Sequence, residues 1–365
     1  MIHPTRHIFN ETPDSLRDWC AEEGMPAFRA GQILKWVYEE GIIDPQQMTN
    51  LSKRDRETLA LAFTFQSGRT LAHQRASDGT QKLLVQWDDS AEPRKADPLA
   101  VIDQDDAARQ TECVMIPTEL RKTACISSQV GCPVGCTFCA SGLGGLDGNL
   151  SAGRIIEQVW RLAQLEGVGR ISNVVFMGMG EPLANFTNVI HAVRTITAPW
   201  GMGIGARKIT ISTVGLPKAI TRLAEELEIP VTLALSLHAP NDELRRKLIP
   251  WAEYSTIDEL LDSCDLWFQK TGREITLEYI LLGGTNDQPE HAQELAPLAK
   301  RLRANVNLIR YNEVEGMPYM RPTGSDVHNF QAILTGLGVN AHIRASRGRD
   351  IDAACGQLRH ESSKD

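Results

Sequence analysis

Apolar positions from about residue 123 onward alternate between two spacings. Short runs rich in Val, Ile and Leu predict strands over 124–130, 173–178, 208–214, 231–238, 274–282, 306–312 and 340–346. Helical patterns lie between them, over 154–165, 189–196, 217–227, 242–248, 257–270, 290–302 and 327–337. Strands this apolar suit a sheet covered on both faces, and the strand–helix rhythm implies parallel pairing. The fold class expected is α/β, most simply a full or partial (β/α) barrel. About six units fall short of a closed eight-fold barrel, and in such folds chemistry sits at the C-terminal ends of the strands.

Residues 1–87 read as a small, mainly helical N-terminal accessory domain. Helices are expected over 15–22 (with Asp14 as N-cap), 30–39 and 53–62, followed by a strand over 82–87. Residues 88–110 change character: seven acidic and three basic side chains, two prolines and few large apolar residues mark an acidic linker. A strand over 112–117 then opens the barrel domain, 111–365.

Composition adds limits. The chain has 365 residues, 42% hydrophobic and 23% charged, ordinary values for a protein with a real core. No run of 18 apolar residues is present and the first residues lack a signal-peptide pattern, so a cytoplasmic protein without a membrane span is expected. The net charge of −8 taken alone argues against a nucleic-acid partner. Basic residues nevertheless gather at Arg245, Arg246 and Lys247, at Lys300, Arg301, Arg303 and Arg310, and at Arg344, Arg347 and Arg349. Screening limits electrostatic reach to about 8 Å, so an RNA would feel these clusters more than the total.

Three of the eight cysteines, Cys132, Cys136 and Cys139, fall in a C-x3-C-x2-C run. In a reducing compartment, clustered thiols read as metal ligands or catalysts rather than staples. Three thiolates on one tight loop can hold three corners of a cubane iron–sulfur cluster and leave one iron open. The alternative is structural zinc, which needs a fourth ligand and more often shows two separated Cys pairs. That reading would give a non-catalytic, zinc-stabilised RNA-binding protein.

The cysteine run, with Phe138 before its last Cys, is similar to that of the radical S-adenosylmethionine (SAM) enzymes. Residues 125–132 (CISSQVGC), 178–183 (GMGEPL), 211–217 (ISTVGLP), 235–239 (LSLHA), 310–312 (RYN) and 347–358 (RGRDIDAACGQL) narrow the resemblance to the RlmN/Cfr family of RNA adenosine methyltransferases. It covers nearly the whole chain and implies a partial (β/α)6 radical SAM barrel.

The resemblance also implies roles. Cys132, Cys136 and Cys139 would hold a [4Fe-4S] cluster, and SAM would chelate its open iron before one-electron cleavage to methionine and a 5′-deoxyadenosyl radical. Gly180 and Glu181 would contact SAM, with Glu181 accepting from its ammonium group, and Ser212, Ser236, Leu237, His238 and Asn312 would line its site. Two SAM molecules would be used per turnover. The first would methylate Cys355, and the second would generate the radical that takes hydrogen from the S-methyl group. The methylene radical would add to adenine, and Cys125 would resolve the adduct, leaving a Cys125–Cys355 disulfide for a reductant such as flavodoxin. Glu112 would be the proton acceptor.

A physical reason supports the detour: adenine C2 is an electron-poor amidine carbon, whereas direct methyl transfer from SAM needs a nucleophile, which a thiolate is. The substrates implied are an adenosine in 23S rRNA and one in the tRNA anticodon loop, methylated at C2. The alternative within the family is C8 methylation of the Cfr type. A monomer is expected. At position 148, where the family commonly carries a basic residue, this chain has Gly148.

Overall fold

The structure, a computed structural model, describes residues 1–88 and 109–358. The acidic segment expected over 88–110 therefore lies, from 89 to 108, outside the described residues. Helices α1 (Pro13–Glu22), α2 (Arg29–Tyr38) and α3 (Lys53–Ala62) come first. The N-cap of α1 is Thr12 rather than Asp14: Thr12 and Ser15 form a reciprocal capping box, Pro13 opens the helix, and Asp14 falls inside the first turn.

Strands β1 (Gly68–Arg75) and β2 (Gln81–Trp87) form an antiparallel hairpin, and β2 pairs antiparallel with β3 (Gln110–Pro117). β1 was not legible in the apolar pattern because six of its eight residues are exposed. β3 pairs antiparallel with β4 (Lys122–Cys125).

The strand expected over 124–130 is broken. Its first part is β4; its last part, β5 (Gln129–Gly131), pairs instead with β6 (Leu146–Asn149) in a separate two-stranded hairpin. The break sits at Ser127, whose N–H donates to Gln158 Oε1 and whose hydroxyl donates to the Glu112 carbonyl, so side chains take over from the ladder.

From β4 onward the main sheet is parallel. β4 is joined through α4 (Ala152–Ala163) to β7 (Asn173–Phe176), and then α5 (Phe186–Thr197), β8 (Ile209–Thr213), α6 (Pro217–Glu226) and β9 (Thr232–Ser236) follow. Helices α7 (Asp242–Leu248) and α8 (Ile257–Thr271) lead to β10 (Ile275–Leu281), α9 (Pro289–Arg301) to β11 (Asn305–Arg310), and α10 (Gly324–Gly336) to β12 (Ala341–Arg344). Among the described residues this makes six βα units and a seventh parallel strand, within one ten-stranded sheet whose edges are β1 and β12. The partial barrel expected from the apolar pattern is thus present, extended by three antiparallel strands. Among the described residues, no helix is long and apolar enough to cross a membrane.

One apolar core runs from the N-terminal helices through the barrel to α10. A buried polar junction crosses it. Glu157 on α4 accepts from the Ser67 N–H (2.9 Å) and hydroxyl (3.0 Å), meets His7 Nε2 at 2.9 Å, and accepts from Arg161 Nε at 2.8 Å. Arg161 also donates to the Gly68 carbonyl and to Thr70 Oγ1. This junction ties the N-terminal segment to the barrel.

Candidate active site

The C-terminal ends of the parallel strands surround an open cavity of about 830 Å³, the solvent at its mouth included. Cys132, Cys136 and Cys139 line one side. Gly180 and Glu181 (after β7), Ser212 (β8), Ser236 (β9), His238 (after β9) and Cys355 (after β12) also contribute to the wall. The strand ends gather what the sequence scatters over more than two hundred residues.

The three thiols pack against an apolar shell that includes Val134, Phe138, Ile249, Ala252 and Tyr311. Burial, together with the neighbouring thiols, raises the pKa of Cys136, and burial pushes Cys132 up to about 12. Ionising all three in so apolar a place requires positive charge among them, as an iron–sulfur cluster provides. Buried Arg245 supplies some from the side. Among the described residues no group of three or more His, Cys, Asp or Glu side chains is arranged to hold a single metal ion. Three thiols on one cavity wall are the donor set that would hold an iron–sulfur cluster.

Glu181 is 2% exposed. Its Oε1 accepts from the Leu183 N–H at 2.9 Å and its Oε2 from the Val214 N–H at 2.8 Å. Burial pushes its carboxyl up to about 7, and those N–H groups offset only part of the effect. With the Thr213 hydroxyl these are three neutral donors on four lone-pair sites, which leaves acceptor capacity for a cation. Gly180 brings this turn in close: its φ is +101°, and a Cβ there would lie 2.6 Å from the Gln129 side chain.

The hydroxyls of Ser212 and Ser236 lie 3.1 Å apart on adjacent strands. His238 has a left-handed backbone, φ 61°. Its Nδ1 accepts from the Ile280 N–H at 3.1 Å, which assigns the proton of the neutral ring to Nε2. Burial, and secondly Arg245, push its pKa down to about 3, so the ring is neutral. Phe138 meets it edge-on at 5.2 Å.

The remaining candidates stand behind the wall. Leu237 is fully buried in the core, and its carbonyl accepts from Arg245 Nε at 3.2 Å. Asn312 Nδ2 donates to the Cys355 carbonyl at 3.4 Å, and its Oδ1 accepts from Arg321 at 2.7 Å. Cys125, at the end of β4, packs with Val114 against Ala353 and Leu358 of the Cys355 loop. Burial first, and Cys355 second, push its thiol up to about 12. All eight cysteines are free, so the expected Cys125–Cys355 disulfide is not present. Glu112 on β3 pairs with Lys82 Nζ at 2.7 Å.

Two wall residues were not singled out as site residues from the sequence. Glu278 on β10 and Arg344 on β12 both line the cavity and pair at 3.2 Å. The signal was available, since a lone carboxylate inside the apolar run 275–281 is costly unless paired. In the sequence Arg344 belongs to a basic cluster with Arg347 and Arg349, but in the fold it lines the cavity, where Cys355 and Glu278 outweigh burial and raise its pKa. Arg245 likewise belongs to a basic cluster, with Arg246 and Lys247; it is 1% exposed and donates to the Val214 and Leu237 carbonyls.

Comparison with known proteins bears on this arrangement. Residues 7–64 match the ribosomal RNA large subunit methyltransferase N-terminal domain, and residues 126–296 match the radical SAM superfamily. A probable dual-specificity RNA methyltransferase RlmN from Rhodopirellula baltica is 43% identical over 354 residues, 97% of this chain and 90% of that protein. The chain belongs to the RlmN family. A Bacillus thuringiensis member is 42% identical over 98% of this chain and 94% of its own length. The crystal structure of a radical SAM methyltransferase from Sphaerobacter thermophilus superposes with a TM-score of 0.90 at 39% identity, covering 98% of this chain and all of that one. RlmN membership makes this a radical SAM RNA methyltransferase and sets aside the zinc-stabilised, non-catalytic reading.

Proposed function

We propose that this enzyme methylates C2 of an adenosine in 23S rRNA and of one in the tRNA anticodon loop, with Cys355 as the methyl carrier. One observation carries the reading: Cys355 shares a cavity wall with Cys132, Cys136 and Cys139 while Cys125 packs beneath its loop.

When bound, a [4Fe-4S] cluster held by those three cysteines supplies the electron that opens the sulfonium bond of SAM. Glu181 accepts from the amino group of SAM; Ser212, Ser236 and the Nε2–H of His238 offer the remaining polar contacts, and Gly180 lets the turn approach. Leu237 and Asn312 act from behind, through the Arg245 and Cys355-loop contacts. The Cys355 thiolate takes the methyl group of a first SAM. A second SAM enables loss of one hydrogen atom from the S-methyl group, and the methylene carbon forms a bond to C2.

Glu112 accepts the C2 proton, and the adduct gives up one electron, the equivalent consumed in cleaving the second SAM, which the cluster would take back. The sulfur of Cys125 then attacks that of Cys355 to form the disulfide, the carbon–sulfur bond breaks, and a solvent proton completes the methyl group on the departing base. Two electrons from a reductant such as flavodoxin return both cysteines to thiols. The enzyme is read as a cytoplasmic monomer.

Mass spectrometry of RNA nucleosides after anaerobic reaction tests this directly. 2-Methyladenosine is expected; 8-methyladenosine would move the chain to the Cfr-type reaction, and no product would remove the reading.

A further inference from the structure

Lys82 is a buried cation at the seam between the N-terminal hairpin and the Cys355 loop. It stands opposite Val114 across β2–β3, and Val114 stands opposite Cys125 across β3–β4. Side chains opposite one another share a sheet face, as do those two apart along a strand. Lys82, Glu112 and Cys125 therefore occupy one face, the face that Ala353 and Leu358 cover.

Lys82 Nζ lies 2.7 Å from Glu112 Oε1 and donates to the Asp352 carbonyl at 3.2 Å. Both side chains of the ion pair are less than a tenth exposed. One ammonium thus touches the candidate proton acceptor and the loop three residues before Cys355. Asp352 holds a left-handed backbone, φ 50°, a conformation that Asp adopts more readily than most non-glycine residues.

The turn between β1 and β2 grips the same loop further back. The Gly348 N–H donates to Asp78 Oδ2 at 3.0 Å, and the Ser77 N–H donates to Asp350 Oδ2 at 2.8 Å. Gly348 has φ +64°, and a Cβ there would lie 2.8 Å from Thr80 Cγ2, so the close approach needs glycine.

We propose that Lys82 is a positioning residue for methyl transfer. Its ammonium fixes the Glu112 carboxylate and the Cys355 loop at a set separation, so that methyl carrier and proton acceptor meet the same base. This gives the N-terminal hairpin a direct part in coupling SAM cleavage to RNA methylation. The inference rests on the roles of Cys355 and Glu112 set out above.

The test uses full-length, cluster-reconstituted Lys82→Met and Lys82→Arg enzymes. Two quantities are read: methylated RNA formed per 5′-deoxyadenosine, and backbone amide exchange across residues 347–356. Lys82→Met is expected to lower the first at least tenfold and to raise the second at least tenfold, with Lys82→Arg recovering most of both. Wild-type values of both in Lys82→Met overturn the proposal. So does a fall in SAM cleavage and RNA methylation by the same factor with loop exchange unchanged, the signature of a merely structural residue. Should Lys82→Met fail to fold, Lys82→Gln carries the same expectations.

Cys355→Ala and Glu112→Gln run alongside. If both abolish RNA methylation while Lys82→Met behaves as wild type, the Lys82 role alone falls. RNA methylation that survives Cys355→Ala overturns the relay reading and this inference with it.

Discussion

Glu157, at the junction between the N-terminal segment and α4, and Glu181, at the cavity, are both shut away from water, at 0% and 2% exposure. Each accepts backbone N–H bonds. At the junction, burial would raise the Glu157 carboxyl, but the His7 hydrogen bond and the Arg161 guanidinium outweigh it and hold the pKa at about 2. At the cavity the same burial wins, because the partners of Glu181 (the N–H groups of Val214 and Leu183 and the Thr213 hydroxyl) are neutral, and its pKa stands at about 7. A buried carboxylate with its own cation holds the chain together. One without a cation is poised to receive a cation from a ligand.

The largest effect should separate chemistry from architecture. Cys355→Ala is expected to abolish RNA methylation while leaving iron content and melting temperature at wild-type levels. Cys125→Ala is expected to stall later, with a covalent protein–RNA species visible on a denaturing gel; normal turnover without that species would make Cys125 structural only.

The junction should show the opposite profile. Glu157→Ala strands Arg161 in the interior and should cost about 3–5 kcal/mol in urea unfolding. The sign of its pH dependence is fixed by the depressed pKa. The stabilisation, about 3 kcal/mol for a fall from 4.5 to about 2, is fully present above the ordinary value and is lost as pH falls toward 2. Glu157→Gln should flatten the acid limb of a stability–pH curve, and an unchanged limb would remove Glu157 from the account.

At the cavity the dependence lies near neutrality. Glu181 is largely protonated at pH 6 and largely ionised at pH 8. Calorimetric SAM affinity should therefore rise with pH across that window, by up to about tenfold per unit on the acid side. Glu181→Gln should bind more weakly and lose the slope; a slope that survives would mean that Glu181 is not the partner of the SAM amino group.

Much of this was legible in the chain. Period and apolar run length placed six of the seven parallel strands, the exception being the run over 124–130 that breaks after β4, and α3 and α7 were expected at the bounds they adopt. The cysteine spacing marked three wall residues at once because they share one loop. What escaped has physical causes. β1 has no apolar face of its own and is held by pairing with β2. Ser127 ends a strand through side-chain bonds to partners far off in sequence. Arg245 and Arg344 look like surface charge in a linear reading, and only the folded sheet shows that Arg245 is buried and that Arg344 lines the cavity. Lys82 could have been found by parity: Lys82 and Leu84 share a strand face with Glu112 and Val114, but only once the register is known.

The central claim is that Cys355 carries the methyl group before RNA receives it. The most direct measurement uses SAM with a trideuterated methyl group and mass spectrometry of the methyladenosine product. Transfer through Cys355 removes one deuterium from the S-methyl group, and solvent supplies the replacement, so the product should carry two deuterium atoms. A product carrying all three would mean direct transfer from SAM and would contradict the account.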